Sequence, residues 1–371
     1  MTRRGFLRCA GASAVALAGA GLASGCPEAR TDLRLPSPPL GPPLGPAEER
    51  ILAHAALAPS SHNTQPWAVR ILEKRRWLAG LDATRELPAV DPETRELLLS
   101  LGAFVENLAV AASASGLAAE VQLRSAARDS AELLLVRLVA AGPGDERDLE
   151  RIRLRRTLRK GFQGHRLRPE DLKVITEPYG GSAAWFPAGS REAKWLAGAE
   201  LDAFRMQTGR DDAQRELSHW IRFSDEDVLR HGDGLTPDTM EAGALAGFYL
   251  RHFMSSADVL GKQFREAGID ATATQISEGA GWLVVTAPDE ATSTLLDTGR
   301  RFERMALGLR ERKLAAHPMS QLLEEEAWRR QLTTELSLSG APQFLLRVGY
   351  VAEHPPPVSP RRPPPAFARM G

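Results

Sequence analysis

The segment 58–67 (APSSHNTQPW) holds an unusual concentration of side chains that could bind a ligand. Its two prolines each fix φ and stiffen the segment. Between them lie the hydrogen-bonding side chains Ser60, Ser61, His62, Asn63 and Gln65. Short neutral groups that both donate and accept suit a flat heteroaromatic ring with alternating N–H and C=O edges. They suit a metal ion or a covalent intermediate less well. A purely structural interpretation, a proline-bounded loop with capping Ser and Asn side chains, stays open.

A second block, 155–162 (RRTLRKGF), suits an anion. Arginine forks form bidentate, charge-assisted hydrogen bonds to phosphate oxygens. The spacing predicts that Arg155 and Arg159 lie on one face of a helical turn, and Thr157 can add a hydroxyl. The alternative is a solvated basic helix end, because the run 151–156 contains more arginines than one phosphate can contact.

Both blocks resemble those of one family. Segment 58–67 resembles the signature of the nitroreductase superfamily, and more closely its H-N-T-Q-P-W form in the Acg family of FMN-binding oxidoreductases. Segment 155–159 resembles the R-R-[ST]-x-R element that holds the FMN phosphate, and 342–350 resembles the closing strand of that fold. The resemblance implies FMN as the cofactor. It implies the cofactor-binding residues Pro59, Ser60, Ser61, Asn63, Gln65, Arg155, Arg156, Thr157, Arg159, Arg361 and Arg362.

Two parts of that assignment carry different expectations. The ring is expected at segment 58–67 and the phosphate at 155–159. Arg361 and Arg362 follow the closing strand and are candidates for a further basic pair at the phosphate, with an exposed basic tail as the alternative. No catalytic side chain is predicted, since a flavin carries the redox chemistry. No metal site is predicted, and no Gly-x-Ser-x-Gly nucleophile elbow occurs.

The N-terminus predicts export. Arg3 and Arg4, followed by Phe6 and Leu7, match the Tat pattern, and an Ala/Gly-rich stretch follows. Leu22-Ala23-Ser24-Gly25-Cys26 resembles a lipobox imperfectly, so a membrane tether through lipidated Cys26 and a soluble periplasmic protein are both open. We therefore predict a leader at 1–26, a proline-rich linker at 27–47 and an extracytoplasmic location.

Composition limits the partners of the folded body. The formal net charge is +0, which argues against nucleic acid. Both cysteines, Cys9 and Cys26, lie in the leader, so the body is expected to contain no disulfide and to depend on its core. The remaining partners are a small-molecule electron acceptor and an unidentified electron donor, because no Gly-x-Gly-x-x-Gly dinucleotide loop is present.

Hydrophobic periodicity predicts an α+β fold in which long helices outnumber short strands. Helices are predicted at 48–57, 93–116, 147–158, 191–208, 211–221, 240–267 and 290–314. Strands are predicted at 68–72, 132–139, 282–287 and 343–350.

The sequence also contains a weak internal repeat. Residues 101–117 align without gaps on 298–314, with identities that include Gly102 with Gly299 and Glu106 with Glu303. The family resemblance implies a nitroreductase-like fold that is internally duplicated, with mixed or antiparallel sheets covered by long helices. The predicted halves are 48–150 and 151–371, the second with a lid and a C-terminal tail. The chain is then expected to be a monomer that acts as a pseudo-dimer.

Three functions remain open from sequence. The first is an exported FMN-dependent oxidoreductase that reduces a small electrophilic acceptor. The second is a protein that binds or sequesters FMN without turnover. The third is a lipoprotein with a vestigial site. The periplasm is not expected to hold an NAD(P)H pool, so the resemblance does not by itself identify the reductant.

Overall fold

The computed structural model of the protein describes residues 38–142 and 144–371. The predicted Tat leader, the candidate lipidation residue Cys26 and the first part of the linker therefore lie outside the described residues. From Pro46 onward the chain forms two sheets, one mixed and one antiparallel, surrounded by helices, as the α+β prediction requires.

The first sheet is built mainly from the N-terminal half. Helix α1 (Pro46–Ala55) leads to strands β1 (Trp67–Glu73) and β2 (Arg76–Leu81), then to helix α2 (Arg95–Ser113), then to strands β3 (Leu117–Leu123) and β4 (Leu134–Ala140). The strand order is β1-β2-β4-β3, with every neighbouring pair antiparallel.

The second half begins with helix α3 (Arg147–Leu154), strand β5 (Phe162–Gln163), helix α4 (Pro169–Thr176) and strand β6 (Ala183–Pro187). A helical insertion follows: α5 (Arg191–Gly209), α6 (Asp211–Trp220), α7 (Asp225–His231), α8 (Ala244–Phe253) and α9 (Lys262–Gln275). The chain then forms β7 (Gly281–Ala287), α10 (Thr292–Leu309), β8 (Leu314–Pro318), α11 (Gln321–Glu324), α12 (Glu326–Glu335), β9 (Ala341–Val351) and β10 (Ala368–Met370).

The two sheets repeat one topology. In the second sheet the order is β6-β7-β9-β8, again with antiparallel neighbours. Along the chain, α10 connects β7 to β8 as α2 connects β2 to β3. The shared order is what an internal duplication predicts. The duplication itself stays a prediction.

Helices α2 and α10 pack against each other through two glycines. A Cβ on Gly102 would collide with the carbonyl oxygen of Leu296, and a Cβ on Gly299 would collide with that of Leu99. Each glycine thus meets the residue three positions before the other glycine. This reciprocal pattern is the signature of a two-fold contact, and it joins the two positions that the sequence repeat aligns.

One strand of the second half joins the first sheet. Strand β10 pairs in parallel with β1 of the first sheet, while β5, which follows the first half, pairs with β9 of the second. A boundary at residue 150 therefore does not divide the strands cleanly between the two sheets. The boundary between the two halves stays a prediction.

Helix α2 is long and apolar enough, by length and composition alone, to span a membrane. However, 83% of its most apolar window is buried inside the protein. Its residues, among them Leu97, Leu101, Phe104 and Leu108, form the centre of the first hydrophobic core. The helix is therefore the core helix of a folded domain.

Local structure departs from the predictions in three respects. The helix predicted over 240–267 is divided into α8, a short 3₁₀ segment (Ser256–Leu260) and α9. The helix predicted over 147–158 ends at Leu154. Six strands were not predicted: β2, β3, β5, β6, β8 and β10. Strands β5 and β10 have only two and three residues, and β2, β6 and β8 lack the alternation of buried and exposed residues that marks a strand.

Candidate functional site

The loop between α1 and β1 has a constrained backbone. Residues Ser61–Asn63 form one 3₁₀ turn, and His62, Asn63 and Gln65 all have left-handed φ values of 48°, 54° and 53°. The Ser60 hydroxyl accepts a hydrogen bond from the Gln65 N–H at 2.9 Å and closes the loop. Non-glycine residues rarely adopt this conformation, and clusters of them occur at functional sites.

The carboxamides of this loop bind other segments of the chain. Asn63 Nδ2 donates to the carbonyl of Gly234 at 3.0 Å, and Gln65 Nε2 donates to the carbonyl of Gly232 at 2.8 Å. The Arg362 N–H donates to Gln65 Oε1 at 2.8 Å. The loop thus connects the helical insertion and the C-terminal segment to the first sheet.

A cavity of about 390 Å³ opens beside the loop. Nine of the eleven residues predicted to bind the cofactor lie in its wall: Pro59, Ser60, Ser61, Asn63, Arg155, Arg156, Thr157, Arg159 and Arg361. The two sequence blocks, almost a hundred positions apart, are therefore brought together at one cavity. Its volume is within the range of small-molecule sites.

Gln65 and Arg362 are the two exceptions. Gln65 is fully buried and Arg362 is 3% exposed, and neither lines the cavity. Arg362 donates to the Gln65 and Trp67 carbonyls, so it is not an exposed basic tail either. In this structure both residues hold the C-terminal segment in place, because the hydrogen-bonding groups of Gln65 are bonded within the protein. Their predicted contact with the cofactor stays a prediction.

The arginine block reaches the cavity by a different route from the one predicted. Because α3 ends at Leu154, Arg155 and Arg159 do not share a helix face. They lie on an extended segment instead. Arg155 forms a buried ion pair with Glu303 at 3.3 Å, and Arg156 pairs with Glu241 at 3.1 Å.

Arg159 differs from both neighbours. Its guanidinium contacts the Thr239 carbonyl at 3.1 Å and His317 Nε2 at 3.1 Å. Within residues 38–142 and 144–371, no carboxylate oxygen lies within 4 Å of its side-chain nitrogens. Burial lowers the pKa of Arg159 from its usual value. A half-buried guanidinium without its own carboxylate is the strongest anion ligand of the block.

Two imidazoles stand beside Arg159 and remain neutral. Burial, with a smaller contribution from the charge of Arg159, lowers the pKa of His62 to about 4. Burial and the charges of Arg159 and Arg347 lower the pKa of His317 well below its usual value. His62 Nδ1 is buried without a hydrogen-bond partner in the described part of the chain, although the residue lines the cavity. Such an atom is available to a ligand.

Acidic residues line another part of the wall. Glu96, in the first turn of α2, accepts hydrogen bonds from the Ser61 hydroxyl and from Arg95 Nη2, the latter at 2.7 Å. Glu324, at the end of α11, accepts from the Ser320 hydroxyl and from Gln207 Nε2 at 2.5 Å. Sequence reasoning missed Glu324 and His317, since neither lies in a motif. Only the tertiary structure brings them to the cavity.

The helical insertion forms one wall of the cavity, and its function as a lid stays a prediction. Its residues Leu235, Thr239, Met240, Thr272 and Gln275 contribute to the wall. The turn at residues 232–234 anchors this wall. Asp233 forms ion pairs with Arg85 at 2.7 Å and with Arg222 at 2.6 Å, and all three side chains are largely buried. The insertion is thus fastened to the first half beside the loop.

Comparison with known proteins identifies relatives over most of the chain. No family model matches it. NAD(P)H nitroreductase PigM of Serratia sp. is 26% identical over 309 residues, covering 80% of this chain and 86% of PigM. NAD(P)H nitroreductase acg of Mycobacterium tuberculosis is 26% identical over 329 residues, covering 83% and 91%. NAD(P)H nitroreductase Rv3131 of the same organism is 27% identical over 323 residues, covering 84% and 88%.

Among solved structures, the FMN-dependent nitroreductase NfnB of Mycobacterium smegmatis, in complex with NADPH, has a TM-score of 0.40 and 14% identity. The match covers 61% of this chain and 98% of that chain. An NADH dehydrogenase/NAD(P)H nitroreductase from Parabacteroides distasonis has a TM-score of 0.32 and 14% identity, and the match covers 58% of this chain and 92% of that chain.

Proposed function

Because the chain is a homologue of proteins named NAD(P)H nitroreductases over 80–84% of its length, we propose that it is an FMN-dependent oxidoreductase that reduces a small electrophilic acceptor. The observation that carries the proposal is the meeting of the ring-type loop and the arginine block at one cavity. A flavin supplies the redox chemistry there when it is bound.

The donors present fit FMN. An anionic phosphate needs a guanidinium that is free to leave its present contacts, and Arg159 has that property, with Arg155 and Thr157 beside it in the wall. A heteroaromatic ring needs neutral donors and acceptors, and Ser60, Ser61 and the unpartnered His62 Nδ1 are of that kind. In this proposal the protein binds and orients the cofactor, and the lid excludes water.

The test is the cofactor content of the purified protein. We expect a flavin absorption band, FMN as the released cofactor, and weaker FMN binding in Arg159→Gln. One charge-assisted hydrogen bond contributes about 1.5–3 kcal/mol, so the dissociation constant should rise roughly 10- to 100-fold. Arg153→Gln is the matched control, since Arg153 is exposed and does not line the cavity. A colourless protein that takes up no FMN would refute the proposal.

A second function, FMN storage without turnover, is favoured by one observation. The lid turn 232–234 is hydrogen-bonded to Asn63 and Gln65 and held by two ion pairs of Asp233. A lid held this firmly opposes exchange of small molecules. Reduction of the holoprotein by dithionite, NADPH and a quinol, followed by mixing with acceptors, separates the two functions. Reduced flavin that no small acceptor reoxidises would support storage.

We further propose export by the Tat pathway, with Cys26 as a candidate lipid anchor. The support is the Arg3-Arg4 motif and the position of Cys26 before a proline-rich linker. Cell fractionation of the full chain and of an Arg3→Lys, Arg4→Lys variant provides the test. Equal amounts outside the cytoplasm for both proteins would refute Tat export. We also propose that the chain is a monomer, which its mass in solution tests.

A further inference from the structure

The cavity contains a pair of carboxyl groups that the proposed cofactor site does not use. Glu96 and Glu324 both line it, from two different helices, α2 and α11. They come from opposite halves of the chain, so the pair exists only in the folded molecule. Ser61, which belongs to the ring-type loop, bonds directly to Glu96 and connects the pair to the predicted ring contacts.

The two carboxyls are not equivalent. Glu96 has a cation, because Arg95 Nη2 lies 2.7 Å from its Oε1. Glu324 has only neutral hydrogen-bonding neighbours, the Ser320 hydroxyl and the Gln207 amide. In the described part of the chain, no basic nitrogen lies within 4 Å of a Glu324 oxygen. The proton that such a pair retains is therefore expected on Glu324.

The surrounding charges agree with this assignment. Burial and the negative charge of Glu96 raise the pKa of Glu324 well above its usual value, against the opposing effects of its hydrogen bonds from Ser320 and Gln207 and of the charge of Arg95. Beneath α11, Glu200 accepts from the Leu322 N–H, and burial raises the pKa of Glu200 to about 8, so it adds no full negative charge at neutral pH. The adjacent Glu325 is neutralised by Arg210 at 2.8 Å.

We propose that Glu324 is the proton donor to the electron acceptor that occupies this cavity, and that the acceptor is a quinone or nitro compound whose reduction consumes a proton. This inference depends on the proposed function, which supplies a reduced flavin as the hydride source. The acceptor gains the hydride at one atom. The Glu324 O–H bond breaks and a new O–H bond forms at an acceptor oxygen. A quinone thereby becomes a hydroquinone, and the Glu324 carboxylate regains its proton from solvent.

The variant Glu324→Gln tests the inference, because its amide keeps hydrogen-bonding groups for Ser320 and Gln207 but has no acidic proton. Holoprotein reduced by dithionite is mixed with p-benzoquinone, which takes up protons, or with ferricyanide, which takes up electrons only. We expect reoxidation by the quinone to slow by roughly 10²- to 10⁴-fold, the usual contribution of a positioned acid. Reoxidation by ferricyanide and the affinity for FMN should be unchanged.

A second readout needs no turnover. In cofactor-free protein at neutral pH, the infrared absorption of protonated carboxyls should include one component that Glu324→Gln removes, while the component of Glu200 remains. The matched control is Glu325→Gln, which changes a carboxyl on the next residue that does not line the cavity. It should keep both the Glu324 component and the quinone rate. Glu96→Gln should shift loss of the Glu324 component to lower pH, because it removes the neighbouring negative charge.

The outcomes separate this inference from the proposed function. Protein that binds no FMN would refute both. If FMN binds and Glu324→Gln reacts with the quinone at the wild-type rate, only the inference is wrong. It is also wrong if both oxidants slow equally, since a general distortion of the site would do that, or if Glu324→Gln leaves the infrared absorption of protonated carboxyls unchanged.

Discussion

The residues at the cavity are positioned by charge as much as by shape. Arg155 and Arg156 each have a carboxylate partner. The guanidinium of Arg159 instead contacts one backbone carbonyl and one imidazole nitrogen. Burial, assisted by the charge of the same guanidinium, lowers the pKa of His62 and of His317 and keeps both imidazoles neutral. A neutral imidazole beside a cation retains an acceptor lone pair, which is what a ring N–H of a ligand requires.

His62 leads to a prediction about pH. Its pKa is about 4 in the folded protein and near 6.5 when unfolded, so the unfolded chain binds the extra proton first as pH falls. Stability contributed by neutral His62 is therefore present above pH 6.5 and is lost between about pH 6.5 and 4. At ~1.4 kcal/mol per pKa unit, the loss is at most about 3 kcal/mol.

We expect His62→Asn to reduce the loss of unfolding free energy between pH 7.5 and pH 5, measured by urea denaturation. Asparagine tolerates the left-handed backbone at this position. His165→Asn is the control, because His165 is exposed. The control should lose as much stability as the parent protein over this interval. If His62→Asn also loses as much, the folded protein does not favour the neutral form of His62.

At the scale of elements, the contact between α2 and α10 decides how the halves meet. The glycines at this contact allow the two helix backbones to approach closely. A Cβ on Gly102 or Gly299 would collide with backbone atoms, which cannot move aside as a side chain could. The same two helices carry Glu96 and Glu303 to the cavity and to Arg155. Packing of the helices and geometry of the site are therefore coupled.

Gly299→Ala is expected to destabilise the protein by roughly 1–3 kcal/mol or more, as overpacking of a tight core does. Gly308→Ala on the same helix is the control. Its Cβ would make only an ordinary 3.9 Å contact with Val174, so the gain in helix propensity should stabilise by up to about 1 kcal/mol. Urea unfolding of the two variants measures the difference. Equal effects would show that the helices are not in close contact at Gly299.

At the scale of the whole molecule, the chain is closed by its own C-terminus. Strand β10 pairs with β1, and Phe367 packs edge-on against Phe104 of α2 at a centroid distance of 6.0 Å. The Trp67 ring also stacks on Phe104, with the two ring centroids 5.0 Å apart. The last residues thus complete the core beneath the loop that carries Ser60 to Asn63.

Phe367→Ala should lower the free energy of unfolding by roughly 3–5 kcal/mol, the usual cost of removing a buried phenyl ring. Hydrogen exchange should also accelerate in β1, about 300 positions earlier in the chain. The control Arg369→Ala changes an exposed residue of strand β10, two positions after Phe367. Its free energy of unfolding should stay within about 0.5 kcal/mol of the parent. Unchanged protection of β1 in Phe367→Ala would contradict the closure.

Local sequence determined the chemistry of this protein. The α+β class, the polar loop at 58–67, the basic block at 155–159 and the family resemblance can be read from residue types and spacing, since short-range order suffices for each, and the homologues confirm the resemblance. The tertiary structure alone decided which of those residues face the cavity. Gln65 and Arg362 bond to each other instead, because a buried carboxamide and a buried backbone N–H must each find a partner. It also decided that Glu324 and His317 belong to the site, because contacts between positions hundreds of residues apart leave no local pattern in the sequence.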